Sequence, residues 1–260
     1  MSAANPVRLE HDGPLAVLTL DAPPLNLFDQ AMMDGLQAAV LALSADPPRG
    51  LLIRAEGRVV SGGVDVNRFV GVTPSQGADL WRSLLGTIHL VEDLPCPVVF
   101  AAHALCLTAA FELALACDLL LAAESARFGL VEIVVGLTPS MGGPQRLAER
   151  AGPARARELV MTGELYDAMT LERWNVVNRV LPDADFDAAA RAFARRLAEG
   201  PTQAHAATKR LVREQRDAGA RAADELVPEV GGALFGTDDL RNAVASFLEH
   251  GPGKATYEGR

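Results

Sequence analysis

Apolar positions along the first hundred residues fall into short blocks whose period shifts from two to nearly four and back. Residues 7–10 and 16–20 are strand-like runs on either side of Asp12-Gly13-Pro14, which predicts an opening hairpin. After Pro23-Pro24, Asp29 is suited to cap a helix reaching about residue 42, with Met32 or Met33, Leu36, Val40 and Leu43 on its core face. Pro47-Pro48 stops that helix, and residues 50–55 read as a buried strand. A second short strand, 58–61, runs into Ser61-Gly62-Gly63-Val64-Asp65. A helix over 78–93 gathers Trp81, Leu84, Leu85 and Ile88 on one face, ends at Pro95 and Pro97, and leads to a strand at 98–102. Thr108 is placed to cap a further helix opening at Ala109, whose first turn runs to Glu112. Strand, short strand and helix recur roughly every 45–50 residues, which suggests stacked ββα turns rather than a Rossmann sheet. From Gly152 onward helices dominate: 154–161 behind Pro153, 169–174 ended by Asn175, then 185–199, 202–218 and 238–250.

Composition narrows the class. The 260 residues suffice for a substantial core, and 49% hydrophobic with 22% charged residues is the balance of a globular, water-soluble chain. A net charge of −9 argues against nucleic acid as a partner, though a local basic patch could still hold an anionic small ligand. The apolar run near 98–123 is broken by His103, Glu112 and Asp118, which suits a core and not a membrane span. The first thirteen residues carry Arg8, Glu10 and Asp12 and have no apolar signal region, so a cytoplasmic location is expected. Cys96, Cys106 and Cys117, in or beside apolar segments, read as reduced core thiols. The five histidines are scattered without metal-ligand spacing, so no metal site is expected, and His103 reads as structural.

Two carboxylates stand where a carboxylate is costly. Glu112 interrupts a run otherwise uncharged from Val98 to Cys117, and Glu132 has hydrophobic neighbours on both sides in Gly-Leu-Val-Glu-Ile-Val-Val-Gly. A buried, unpaired carboxylate costs several kcal/mol or shifts its pKa upward. The pair therefore reads either as an acid/base site or as one solvated helix-edge Glu and one loop Glu. The Gly62-Gly63 pair lets a ligand approach main-chain N–H groups closely. Val64-Asp65 after it excludes a P-loop, no Gly-x-Gly-x-x-Gly fingerprint is present, and Ser61 lacks a nucleophile elbow.

Taken together, the motifs resemble the enoyl-CoA hydratase/isomerase (crotonase) family over nearly the whole chain. Ser61-Gly-Gly-Val-Asp-Val is similar to its Ala-Gly-Ala-Asp-Leu loop, and Glu112-Leu-Ala-Leu-Ala-Cys-Asp118 matches its Glu-Leu-Ala-Leu-Ala-Cys-Asp. Ala126-Arg-Phe-Gly-Leu-Val-Glu132 and Pro139-Ser-Met-Gly-Gly-Pro-Gln-Arg-Leu147 follow in the same order. Thr208-Lys-Arg-Leu-Val, Thr237-Asp238 and Phe247-Leu resemble its C-terminal helical motifs. The resemblance implies an α/β fold: a crotonase-like spiral of ββα turns over residues 1–198, followed by a helical C-terminal trimerisation region over 199–260. It implies an acyl-CoA thioester as ligand, no metal, no cofactor beyond coenzyme A within the substrate, and a trimer or dimer of trimers.

The same resemblance assigns roles by position. Main-chain N–H groups of Val64 and Ala109 would form the oxyanion hole. Glu112 would activate water, and Glu132 would protonate C2. Gly62, Gly63, Asp65, Thr108 and Gly136 would line the substrate site, and Lys209, with Arg210 or Arg213, would meet CoA phosphates. Both glutamates being present favours hydration of a 2-enoyl-CoA over Δ3,Δ2-isomerisation or another CoA-enolate reaction. The sequence departs from the family pattern in Thr108-Ala109-Ala110 for Gly-Gly-Gly, in Val64 for Ala, in Val131 for Pro and in Ser140 for Gly. None of these deletes a donor N–H or a carboxylate, but together they reshape the acyl pocket. A binding role without catalysis is the remaining alternative.

Overall fold

The computed structural model describes residues 5–260. Strands β1 (Val7–Asp12) and β2 (Leu15–Leu20) form the opening hairpin, and Gly13 turns it at a φ of 61°. Helix α1 (Gln30–Ala45) follows, with the Asp29 carboxylate accepting the Met32 N–H and Met32, Met33, Leu36, Val40 and Leu43 buried, as the periodicity predicts. After β3 (Gly50–Ala55) comes α2 (Pro74–Asp93), which opens four residues earlier than its apolar period indicates. Thr73 and Gln76 make a reciprocal capping box there, so polar cap chemistry sets the start.

The centre of the chain runs β4 (Val98–Ala102), β5 (Cys106–Leu107), α3 (Thr108–Ala116), β6 (Leu119–Ala123) and β7 (Arg127–Gly129). Next come α4 (Gly143–Ala151), α5 (Pro153–Thr162), β8 (Tyr166–Asp167), α6 (Ala168–Arg173) and β9 (Arg179–Leu181). Helices α7 (Phe186–Ala198), α8 (Thr202–Ala218), α9 (Ala220–Ala233) and α10 (Asp238–His250) complete it.

The larger sheet has the order β1-β2-β3-β4-β6-β9, antiparallel only between β1 and β2; the smaller has the order β5-β7-β8. Register places Leu18, Ile53, Phe100 and Leu120 side by side across four strands, each fully buried. Each such side chain contributes roughly 1.5–3 kcal/mol by leaving water. Every residue of β2 and β4 is buried, and β4 accordingly reads as an unbroken apolar run. Helix α3 is buried on all sides, which is why it carries no polar stripe. The turns β4-β5-α3 and β6-β7-α4 each put one strand in each sheet and then a helix, as expected of a spiral of ββα units.

Two local expectations are corrected. Residues 58–61 form no strand; Ser61 alone bridges to Cys106. The Asn26 amide instead donates to the carbonyls of Glu56, Val59 and Val60, which ties that segment to a side chain in place of a ladder. Thr108 does not cap α3 either. It is the first residue of the helix, at a φ of 46°, and Leu107 occupies the cap position without a side-chain bond.

The last helices are fastened to the spiral by polar contacts. Lys209 Nζ on α8 meets Asp118 Oδ2 at 2.8 Å and the Cys96 carbonyl at 3.0 Å. The Asp239 carboxylate accepts the N–H groups of Glu258 and Gly259, and Arg49 donates to the carbonyls of Gly200 and Tyr257. Phe235 and Leu248 stay 79% and 80% exposed, leaving an apolar face on this region uncovered within one chain. Among the described residues, no helix is long and apolar enough to cross a membrane.

Candidate active site

Glu112 and Glu132 line one cavity of about 190 Å³. Glu112 projects from the second turn of α3, and Glu132 opens the 3-10 turn Glu132–Val135 that follows β7. Met33, Phe69, Trp81, Leu84, Val131 and Met141 supply apolar walls, with Phe69 and Trp81 packed at 5.9 Å between ring centres. Buried α3 is held from below by the contact of Phe111 with Phe128 on β7, ring centres 5.1 Å apart. The site thus stands on elements fixed by the core, which is what holding two carboxyl groups in a defined relation requires.

The two carboxyl groups live in different electrostatic surroundings. Glu112 is 2% exposed, yet its Oε1 accepts N–H bonds from Met141 and Gly143, each at 2.8 Å. Burial pushes its pKa up to about 7, against the pull of those N–H groups and of the Arg146 charge. Glu132 Oε2 is buried without a hydrogen-bond partner among the described residues. Burial, and then repulsion from Glu112, push it to about 8. Both carboxyl groups are thus pushed toward the protonated form, and the two N–H donors at Glu112 favour the charged form there over Glu132. Two carboxyl groups in unlike surroundings, inside one apolar pocket, are chemically able to serve as a base and an acid.

Two chain segments near the carboxyl pair carry main-chain N–H groups without a hydrogen-bond acceptor among the described residues. Val64 lines the cavity beside Gly62, and its N–H makes no hydrogen bond among the described residues. Ala109 is fully buried in the first turn of α3, where N–H groups have no intrahelical acceptor and no side chain caps them. The helix dipole adds partial positive charge at that end. Gly63, at a φ of 107°, gives the loop a backbone shape that side chains rarely adopt. Thr108 lines the cavity as well, held in the left-handed region at a cost of about 1–2 kcal/mol for a non-glycine residue.

Other residues named from the sequence lie apart from the carboxyl pair. The Asp65 carboxylate accepts the Asn67 N–H and caps a 3-10 turn, so it shapes the loop. Gly136 ends the turn after Glu132 at a φ of 74°, is exposed, and does not line the cavity. Lys209 lines a different, larger cavity between α8 and the spiral, its charge engaged by Asp118.

Sequence reasoning gave no role to Met141 and Gly143, whose N–H groups hold Glu112. The available signal was Gly142-Gly143: Gly142 takes a φ of 89°, and a Cβ on Gly143 would stand 2.8 Å from Glu112 Cγ. The apolar walls from α1 and α2 were legible only as core faces. Burial raises the thiols of all three cysteines, Cys96 to about 12, which leaves none as a ready nucleophile. Among the described residues, no cluster of three or more His, Cys, Asp or Glu side chains could hold a metal ion.

Comparison with known proteins agrees with this architecture. The sequence pattern of the enoyl-CoA hydratase/isomerase family matches residues 10–260. A probable enoyl-CoA hydratase of Mycobacterium leprae is 32% identical over 240 residues, covering 90% of this chain and 91% of that protein. A carnitinyl-CoA dehydratase of Salmonella arizonae is 34% identical over 214 residues, 81% of each chain. Among solved structures, an enoyl-CoA hydratase subunit from Geobacillus kaustophilus superposes with a TM-score of 0.90 at 28% identity, covering 98% of both chains. With the family pattern spanning nearly every residue and the spiral fold shared, the chain belongs to the enoyl-CoA hydratase/isomerase family.

Proposed function

We propose that this protein hydrates a 2-enoyl-CoA thioester to the 3-hydroxyacyl-CoA. The observation that carries the reading is two carboxyl groups in one apolar cavity, Glu112 held by two N–H donors and Glu132 with a buried oxygen that has no partner among the described residues. Glu112 takes a proton from water as its oxygen bonds to C3. The C2–C3 π electrons shift to give an enolate, with negative charge on the thioester oxygen. The N–H groups of Val64 and Ala109 stabilise that charge by about 3–4 kcal/mol each, the scale of removing such a donor in other enzymes. Glu132 then gives its proton to C2, and the oxygen's electron pair re-forms the carbonyl. Proton exchange through solvent restores Glu112 and Glu132. No step calls for a redox cofactor or metal.

The names of the relatives, hydratases and a dehydratase of CoA thioesters, support this reading. The exposed Phe235 and Leu248 support assembly as a homo-oligomer through residues 199–260, testable by sedimentation of the parent and a Phe235→Asp/Leu248→Asp variant. A cytoplasmic location fits a water-soluble substrate.

The deciding experiment is incubation with a panel of 2-enoyl-CoA and 3-enoyl-CoA thioesters and mass analysis for added water. Glu112→Gln should lower hydration kcat by about 10²–10⁴ while thioester binding persists, and Glu132→Gln should also abolish exchange of the C2 proton. An isomerase would instead convert 3-enoyl to 2-enoyl thioesters undiminished in Glu112→Gln, because Glu132 alone would carry the proton between C2 and C4. Hydration surviving Glu112→Gln at the parent rate overturns the two-carboxylate mechanism.

A further inference from the structure

Thr108 combines three observations that the two-carboxylate scheme leaves unused. The residue is only 6% exposed, and its Oγ1 is buried with no hydrogen-bond partner among the described residues. It holds a left-handed backbone conformation that a β-branched residue rarely adopts. It also lies at the junction of the two donor segments. In the chain it directly precedes Ala109, and in space it packs on Gly63, which directly precedes Val64. A Cβ placed on Gly63 would stand 2.7 Å from Thr108 Oγ1 and 3.3 Å from its methyl group. The hydroxyl meets no acceptor among the described residues.

We infer that the Thr108 hydroxyl is a third donor to the thioester oxygen, joining the Val64 and Ala109 N–H groups as charge develops there. The inference rests on the hydratase reading of the site. A thioester carbonyl oxygen has two lone pairs, which two N–H donors satisfy. The enolate oxygen has a third, so a third donor acts on the enolate more than on the bound substrate. Binding that grows toward the transition state raises kcat with little change in KM. The hydroxyl thus stabilises the transition state, whereas a side chain that only packs against Gly63 would alter Tm and leave the enolate untouched.

A 3-oxoacyl-CoA tests this apart from turnover, because its acidic C2 proton lets its enolate be followed by near-ultraviolet absorbance. Bound to the parent protein it should ionise at lower pH than free in solution. Thr108→Val, which keeps shape and branching but not the hydroxyl, should raise that ionisation by about one pH unit and lower kcat about tenfold, with KM within about twofold. Thr108→Ser should match the parent in both. Should the valine variant fold poorly by its Tm, Thr108→Ala carries the same comparison without the branched side chain. An unchanged ionisation pH in a folded Val or Ala variant overturns the third donor and leaves the hydratase reading standing. A parent protein that binds the ligand yet fails to lower its ionisation pH overturns the oxyanion site and this inference together.

Discussion

At Glu112 and Glu132 the same side chain meets two different surroundings, one with N–H donors and one with a buried oxygen left without a partner among the described residues. Hydration requires Glu112 charged and Glu132 protonated, so kcat/KM should fall below about pH 7 as Glu112 takes up a proton, and above about pH 8 as Glu132 loses one. A bell of that width in a pH–rate profile is the expected result; a flat profile across this range would contradict a shared proton. Val64 sets a second test. Val64→Ala should keep kcat for straight-chain substrates and widen tolerance for substituted acyl groups, since the donor N–H stays while bulk is removed. Val64→Pro deletes that N–H and should lose about 10²–10³ in kcat, with near-normal circular dichroism checking that the loop persists. The surroundings of Glu112 could not be read from its neighbours in sequence, because its N–H donors lie 29 and 31 residues away.

Among the elements, α4 matters beyond its packing. Its first residue, Gly143, presents an N–H to Glu112 where a side chain cannot fit, and Arg146 one turn on is paired with Glu92 of α2 at 2.9 Å. Gly143→Ala would drive a methyl group against Glu112 Cγ and Oε1, neither of which can move into solvent. We expect a loss of about 1–3 kcal/mol in stability from overpacking, together with at least a tenfold fall in kcat, read from urea unfolding and steady-state kinetics. Asn26 plays a comparable part for the loop after β3. Its side chain accepts the Ala22 N–H and donates to three carbonyls, so Asn26→Ala leaves several buried groups unpaired. A loss of about 1–3 kcal/mol is expected, with activity falling as Gly62 and Val64 lose their footing. The sequence displayed α1 and α3 clearly because cap and period agree there or the run is wholly apolar. It hid α9, where Pro228, Gly231 and Gly232 read as breakers; packing against α8 keeps that helix continuous.

For the molecule as a whole, two carboxyl groups with raised pKa values make stability depend on pH. Their ordinary value is 4.5, and burial lifts them to about 7 and about 8. The folded state therefore binds more protons than the unfolded state across that interval. Their contribution is fully present below about pH 4.5 and is lost as pH rises through 8. Glu132→Gln, which cannot ionise, should thus gain stability relative to the parent between pH 6 and pH 9 in urea titrations; an unchanged difference would show that Glu132 is not buried as a proton carrier. By itself the sequence determined the alternation of strands and helices, the buried character of β2, β3 and β4, and the two carboxylates misplaced among apolar residues. These depend on local period and on the cost of charge in a core, both written in neighbouring residues. The tertiary structure alone decided which glutamate receives two N–H donors, that Thr108 starts α3 with a hydroxyl unpartnered among the described residues, and that Lys209 pairs with Asp118. Each of those turns on groups brought together from distant segments, and the free energy of a proton, a buried hydroxyl or an ion pair is set by what stands within a few ångströms in space.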